Sequence, residues 1–153
     1  AQVAGRAGRS ERGGRVIVQT CSPTDAAIQR AIHHDFEGFA KQELQQRLEA
    51  DSPPFQHWVR VILRGPIEDA VQSVSLDMAD MIRDVVQNRS LDIRVLGPAP
   101  CPVAKLQANY RFHFLLSAAE LEPVRTLWRE LRPKLPTDRS VEYVIDVDPL
   151  NLR

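Results

Sequence analysis

Apolar residues recur with different spacings along the chain, and the spacing separates predicted helices from predicted strands. Between positions 28 and 48 they recur every fourth residue, which predicts one or two helices with an apolar stripe. From position 55 onward, four runs in which apolar and polar residues alternate predict four strands. These runs occupy 55–64, 91–95, 106–117 and 141–147. Two further helical stripes lie between them, beginning at Ile67 and at Leu121.

The elements after position 55 follow the order strand, helix, strand, strand, helix, strand. This order predicts an α/β (α+β) fold class: a split βαβ, ferredoxin-like sheet with both helices on one face. Pro53 and Pro54 end the preceding helical run, so we expect one domain over 1–52 and a second over 53–153. We also expect a short strand over 15–20 and a loop over 97–102, where prolines cluster.

Composition and charge exclude several classes of protein. With 43% hydrophobic and 26% charged residues, the chain is suited to building a packed core. Its net charge of zero argues against indiscriminate nucleic-acid binding, although a local basic face is compatible with it. Cys21 and Cys101 are too far apart for a Cys-x-x-Cys zinc motif. No apolar run approaches the roughly 18 residues of a membrane span, so we expect a cytoplasmic protein with reduced thiols and no membrane contact.

The first nine residues carry the clearest chemistry. They have the spacing Gln-x-x-Gly-Arg-x-Gly-Arg, formed by Gln2, Gly5, Arg6, Gly8 and Arg9. This pattern resembles motif VI of superfamily-2 helicases. A guanidinium beside the γ-phosphate of ATP stabilises the negative charge that develops during hydrolysis, and glycines let the backbone approach a phosphate closely. The alternative is a flexible Gly/Arg tail that binds nucleic acid loosely, and the predicted strand and helix that follow at once fit that alternative badly.

Further segments extend the resemblance over the whole chain. Together with motif VI and the exit Val-Ile-Val-Gln-Thr at 16–20, they resemble the PriA family of replication-restart DNA helicases, also called primosomal protein N′. The segments are Ser52-Pro53-Pro54-Phe55, Leu96-Gly97-Pro98-Ala99-Pro100, Tyr110-Arg111-Phe112 and Asp146-Val147-Asp148-Pro149.

The resemblance implies an activity and a set of partners. The family uses ATP, with Mg²⁺, to unwind forked DNA with 3′-to-5′ polarity. It recognises stalled or abandoned forks, contacts single-stranded DNA and single-stranded DNA-binding protein, and starts assembly of the other primosome proteins. Residues 1–52 would finish the second RecA-like helicase lobe, and residues 53–153 would form a C-terminal domain like a small-subunit ribosomal protein. A location in the bacterial cytoplasm, associated with the nucleoid, is implied as well.

The resemblance also assigns roles to the motif VI residues. Arg9 would contact the γ-phosphate, and Arg6 would support hydrolysis. Gln2, Gly5 and Gly8 would line the ATP site or the interface between lobes. The Walker motifs and zinc-binding cysteines of the family lie upstream of the region that these 153 residues resemble. We therefore expect this fragment by itself to be inactive, with no zinc ligands and no other metal site.

The predicted sheet offers a second candidate site. Alternation along the first and third strands places one set of polar and aromatic side chains opposite the apolar set that faces the helices. This set comprises Trp58, Arg60, Arg64, Arg111 and His113. Arginine beside an aromatic ring is typical of phosphate contact and base stacking, so we expect this face to bind DNA. The alternatives are a solvated outer face and a face packed on another domain of the intact helicase.

Two other interpretations stay open from the sequence. The chain can act as a non-catalytic DNA- or protein-binding module, or as a ferredoxin-like regulatory domain with no nucleic-acid role. An apolar outer sheet face would favour the regulatory domain. Asp146 and Asp148 share a strand face, but carboxylates at a strand end more often pair with arginine or cap a turn than hold a metal ion.

Overall fold

The computed structural model describes residues 16–136 and 138–152. The chain divides into two compact units, 1–50 and 51–153. The sequence interpretation placed the domain boundary after residue 52. The motif VI residues Gln2, Gly5, Arg6, Gly8 and Arg9 lie outside the described residues.

The described part of the first unit contains two helices, α1 (Ala26–Ile32) and α2 (Phe36–Glu49). Asp25 caps α1 by accepting a hydrogen bond from the backbone N–H of Ala27 at 2.8 Å, and Asp35 caps α2 in the same way. The predicted apolar stripe runs along both helices but is not buried within this unit, and Phe36 is 76% exposed. The prediction of a strand over 15–20 is wrong for residues 16–20, which form no strand.

The second unit is a four-stranded antiparallel sheet with two long helices. Its elements are β1 (His57–Gly65), α3 (Glu68–Asn88), β2 (Arg94–Leu106), β3 (Asn109–Ala118), α4 (Leu121–Leu131) and β4 (Glu142–Val147). The strands are ordered β2-β3-β1-β4, as in a split βαβ sheet. The predicted fold class is therefore confirmed for this unit.

One core joins the sheet to both helices. Val61 of β1 and Phe114 of β3 face each other in register and are almost fully buried. They belong to the same cluster as Met78 and Ile82 of α3 and Leu127 of α4. Both helices therefore cover the same sheet face, and the other face, which we call the open sheet face, points away from them.

The proline-rich segment departs from the sequence-based expectation. The predicted loop over 97–102 lies inside β2, whose pairing with β3 shifts between Leu96 and Ala99 and again between Pro100 and Lys105. Prolines are tolerated here because β2 is an edge strand and one of its two edges needs no ladder partner. Gly97 has φ +98°, and a Cβ there would lie 3.1 Å from the carbonyl oxygen of His113.

β2 and β3 form a hairpin with a two-residue turn. Leu106 pairs with Asn109, and Gln107 and Ala108 between them have φ of 49° and 65°. Asn-Gly or Gly-Gly usually occupies such turns, because a side chain in the left-handed region costs roughly 1–2 kcal/mol per residue. Within the described ranges, no helix combines the length and apolar character that crossing a membrane requires.

Candidate nucleic-acid interface on the open sheet face

The strand registers place the predicted DNA-binding residues on the open sheet face. Arg64 lies opposite Arg111, and Ile62 lies opposite His113, across the β1–β3 ladder. The neighbouring residues Val61 and Leu63 belong to the core, so alternation turns Arg60 and Arg64 away from the helices. Trp58, Arg60, Arg64, Arg111 and His113 therefore share one face, although their environments differ.

Arg60 is a buried part of this face. Its side chain is 1% exposed, so the expectation that it is displayed at the surface for a DNA phosphate is wrong. Its Nε donates a hydrogen bond to Nδ1 of His113 at 2.8 Å, and one terminal nitrogen lies 3.6 Å from Sγ of Cys101. Cys101 follows the point where β2 loses its register with β3, and it is itself 3% exposed. Sequence parity identified the face, but it could not show that irregular β2 brings Cys101 against Arg60.

His113 must be neutral to accept this hydrogen bond, because a protonated imidazole has no acceptor nitrogen. Burial lowers the pKa of His113 below its usual value, and the positive charges of Arg60 and Arg111 lower it further. The imidazole therefore acts as an acceptor that holds a buried guanidinium in place, rather than as a cation for phosphate.

The other members of the set are more accessible. Arg64 is exposed and donates two hydrogen bonds to one carboxylate oxygen of Glu142, at 3.0 and 2.9 Å. Arg111 is half-buried, and a terminal nitrogen lies 3.5 Å from the carbonyl oxygen of Val103 in the irregular part of β2. Trp58 is half-buried, and its indole N–H has no hydrogen-bond acceptor among the described residues. A half-buried ring is a poor stacking platform, so Arg64 and Arg111 are better candidates for DNA contact than Trp58.

Asp148 has a structural role that sequence reasoning missed. Its Oδ2 lies 2.9 Å from Nδ1 of His57, and its Oδ1 accepts a hydrogen bond from the backbone N–H of Trp58 at 3.1 Å. Its own N–H donates to the carbonyl oxygen of Trp58 at 2.7 Å, with φ at 50°. Asp148 therefore fastens the end of β4 to the start of β1. No three His, Cys, Asp or Glu side chains in the described part of the chain are grouped closely enough to hold a metal ion.

A second surface was also missed. A groove of about 360 Å³, which we call the α4 groove, lies between α4 and the β1–β4 side of the sheet, with Val124, Trp128 and Ile145 among its apolar lining. Arg125, Arg129 and Arg132 also line it. These arginines are four and three residues apart, so they lie on one side of α4 and its C-cap. This spacing was visible in the sequence. Glu122 pairs with both Arg125 and Arg129, so positive charge is in excess along the groove.

Comparison with known proteins identifies the family. Residues 48–150 match the family described as "Primosomal protein N C-terminal domain". The chain belongs to this family. The resemblance drawn from its sequence segments is thereby confirmed.

Full-length relatives agree with this assignment. The chain is 34% identical over 151 residues to "Replication restart protein PriA" of Treponema pallidum, and 32% identical over 151 residues to the protein of the same name from Synechocystis. Each alignment covers 99% of this chain but only 22% and 18% of the relative, respectively. The chain therefore spans about a fifth of the length of the curated relatives it matches.

The structural role of Arg60 leads to a prediction about stability. Arg60→Ala should lower the free energy of unfolding by about 3 kcal/mol, because it removes a buried, hydrogen-bonded side chain and leaves a void. Arg64→Ala, which removes an exposed arginine from the same strand face, should cost less than about 1 kcal/mol. Urea unfolding of both variants measures the difference, and equal destabilisation would contradict the assignment of Arg60 as structural.

The neutral state of His113 leads to a prediction about pH. Because the pKa of His113 is lower in the folded state than in the unfolded chain, the unfolded state takes up a proton first as the pH falls. The stability that this histidine contributes should be complete above about pH 6.5 and should be lost as the pH decreases through its folded-state pKa. The charges that act on His113 are those of Arg60 on β1 and Arg111 on β3. The thiol of Cys101 on β2 lies against the Arg60 guanidinium.

The variant His113→Gln keeps an acceptor oxygen but does not titrate. Urea unfolding between about pH 7.5 and pH 5 should show a smaller loss of stability for this variant than for the wild type. His33→Gln, in the other compact unit, serves as the control for loss of a histidine. A pH profile unchanged by His113→Gln would show that His113 does not carry this dependence.

Proposed function

We propose that this chain is the C-terminal part of a 3′-to-5′ DNA helicase that recognises stalled or abandoned replication forks and starts primosome assembly for replication restart. The observation that carries the proposal is the family match over 48–150, together with the motif VI spacing that precedes it. Curated relatives named for replication restart align with nearly the whole chain. A bacterial cytoplasmic location, associated with the nucleoid, follows from the same proposal.

Catalysis in the intact protein would rely on motif VI. Arg9 contacts the γ-phosphate in this proposal, and Arg6 stabilises the charge that hydrolysis develops. Gln2, Gly5 and Gly8 shape the backbone beside the nucleotide or the lobe interface. ATP and Mg²⁺ would be held mainly by residues upstream of this chain, and so would the zinc of the family. This chain alone is therefore expected to hydrolyse no ATP.

The second unit supplies contacts to forked and single-stranded DNA in this proposal. The open sheet face supports it, because Arg64 and Arg111 lie opposite each other there and the ion pair that occupies Arg64 is exposed. An exposed ion pair contributes little, so a phosphate can replace Glu142 at small cost. Arg60 and His113 hydrogen-bond to each other, so in this proposal they stabilise the surface and do not contact DNA.

The second candidate function is protein binding, and the α4 groove favours it. An apolar floor with arginines beside it fits an extended segment that carries both apolar side chains and carboxylates. Single-stranded DNA-binding protein, a partner implied by the family, is the occupant proposed for this groove. Other primosome proteins are proposed partners of the intact protein without an assigned surface.

The proposed catalytic role predicts the behaviour of two variants of the intact protein. Arg9→Ala should abolish DNA-stimulated ATP hydrolysis while fork binding persists, because the guanidinium acts on the charged transition state more than on the bound ground state. Arg6→Ala should reduce turnover severely. Turnover is measured by phosphate release, with fork binding measured in parallel. Wild-type turnover in both variants would refute the motif VI assignment.

The α4 groove predicts a loss of binding on charge reversal. Arg125→Glu combined with Arg129→Glu should weaken binding of the organism's purified single-stranded DNA-binding protein by at least about tenfold, because two attractive charges become repulsive. Calorimetric titration of the 153-residue chain measures the affinity. Arg83→Glu on α3 combined with Arg89→Glu at the C-cap of that helix is the matched control with the same charge change. Equal affinities for the two double variants would rule out this groove.

A further inference from the structure

The β2–β3 hairpin has an unusual charge distribution within a neutral chain. Between Asp92 and Glu120 the sequence contains no aspartate or glutamate, although the whole chain has equal numbers of acidic and basic residues. This interval includes all of β2 and β3 and contains Arg94, Lys105 and Arg111. The hairpin is therefore a basic element flanked by segments that carry the acidic residues.

Two of its cations have no carboxylate partner among the described residues. Arg64, Arg83 and Arg94 each pair with an acidic side chain, the last with Asp51 at 3.7 Å. Among the residues that the structure describes, neither Lys105 nor Arg111 forms such a pair.

The partners of these two cations leave their charge available. Lys105 donates to the hydroxyl of Tyr110 at 3.1 Å and lies 4.3 Å from the centroid of its ring. Arg111 is 3.5 Å from the carbonyl oxygen of Val103. These contacts position the two cations without neutralising them, so both can attract an external anion.

The two cations lie on opposite faces of the hairpin. Lys105 is directly opposite Tyr110 in the β2–β3 ladder, so these two side chains share a face. Arg111 is the next residue after Tyr110, so its side chain projects from the other face. A two-stranded ribbon with one cation on each face can contact phosphates on both walls of a groove, and the major groove of B-DNA, roughly 12 Å wide, admits such a ribbon.

The end of the hairpin is exposed and conformationally costly. Residues 102–108 are all exposed, and Leu106 is 51% exposed. Gln107 and Ala108 both lie in the left-handed region of φ, where neither residue type is favoured. Strained conformations of this kind cluster at functional sites, which is a second observation, independent of charge, that points to the hairpin end.

We infer that the hairpin end, through Lys105 and Arg111, binds the duplex arm of a DNA fork by lying in its major groove. This inference rests on the proposed contact of the domain with forked DNA and assigns a part of it to a site. Duplex DNA fits better than a single strand, because stacking of unpaired bases needs an open aromatic face. The Tyr110 ring has the Lys105 ammonium over it, and Trp58 is half-buried.

The test measures DNA binding by the 153-residue chain over a salt series, with a fluorescent duplex and a single-stranded oligonucleotide of the same sequence. Lys105→Ala combined with Arg111→Ala should weaken duplex binding and reduce the slope of log K against log salt by about 1.8, since each phosphate contact contributes about 0.9. Arg89→Ala combined with Lys134→Ala removes two cations that pair with Glu130 and is the matched control, with an unchanged slope. Circular dichroism checks that each variant is folded.

A variant expected to bind more tightly keeps the test valid if the double variant misfolds. Gln107→Lys adds a cation at the exposed turn without changing a core residue, and it should tighten duplex binding and steepen the salt slope by up to about 0.9. The inference is overturned if the hairpin and control variants have the same slope. It is also overturned if the hairpin variants change single-strand binding as much as duplex binding. If the wild type binds neither the duplex nor the single strand, the proposed DNA contact of this domain fails as well. That outcome is distinct from failure of the hairpin site alone.

Discussion

The pairing of β1 with β3 is the constraint on which the rest of the second unit depends. Its register sets Val61 against Phe114 on one face and Arg64 against Arg111 on the other. A shift of one residue would turn arginines toward α3 and α4 and bring the core side chains to the surface. The burial of the apolar set therefore also determines where the charged set lies. Core packing and the arrangement of the candidate binding residues follow from one ladder.

Much of this arrangement can be predicted from the sequence, because alternation and helical spacing are local patterns. The element order of the second unit and the face on which Trp58 and Arg111 lie could both be read from periodicity. The burial of Arg60 could not, since it depends on where β2 leaves its register with β3 and brings Cys101 inward. The proline-rich segment suggested a loop because prolines usually mark one, whereas an edge position lets the same residues belong to a strand.

Contacts between distant residues were also beyond sequence reasoning. Asp148 is 91 positions from His57, and nothing local indicates that its carboxylate joins the end of β4 to the start of β1. The α4 groove is a mixed case. The spacing of its arginines is visible in the sequence, but the apolar floor between them requires β1 and β4 to meet α4. Sequence patterns therefore locate charged side chains well and predict their partners poorly.

The prolines of β2 have a consequence for how this sheet behaves beside other copies of itself. An unpaired strand edge presents backbone N–H and C=O groups that can recruit a strand from another chain. Pro98, Pro100 and Pro102 have no N–H to offer, so the β2 edge cannot supply a regular row of donors. The opposite edge, β4, is six residues long and carries Glu142 and Asp146. Both edges of the sheet are thus poor templates for aggregation, one through missing donors and the other through short length and like charge.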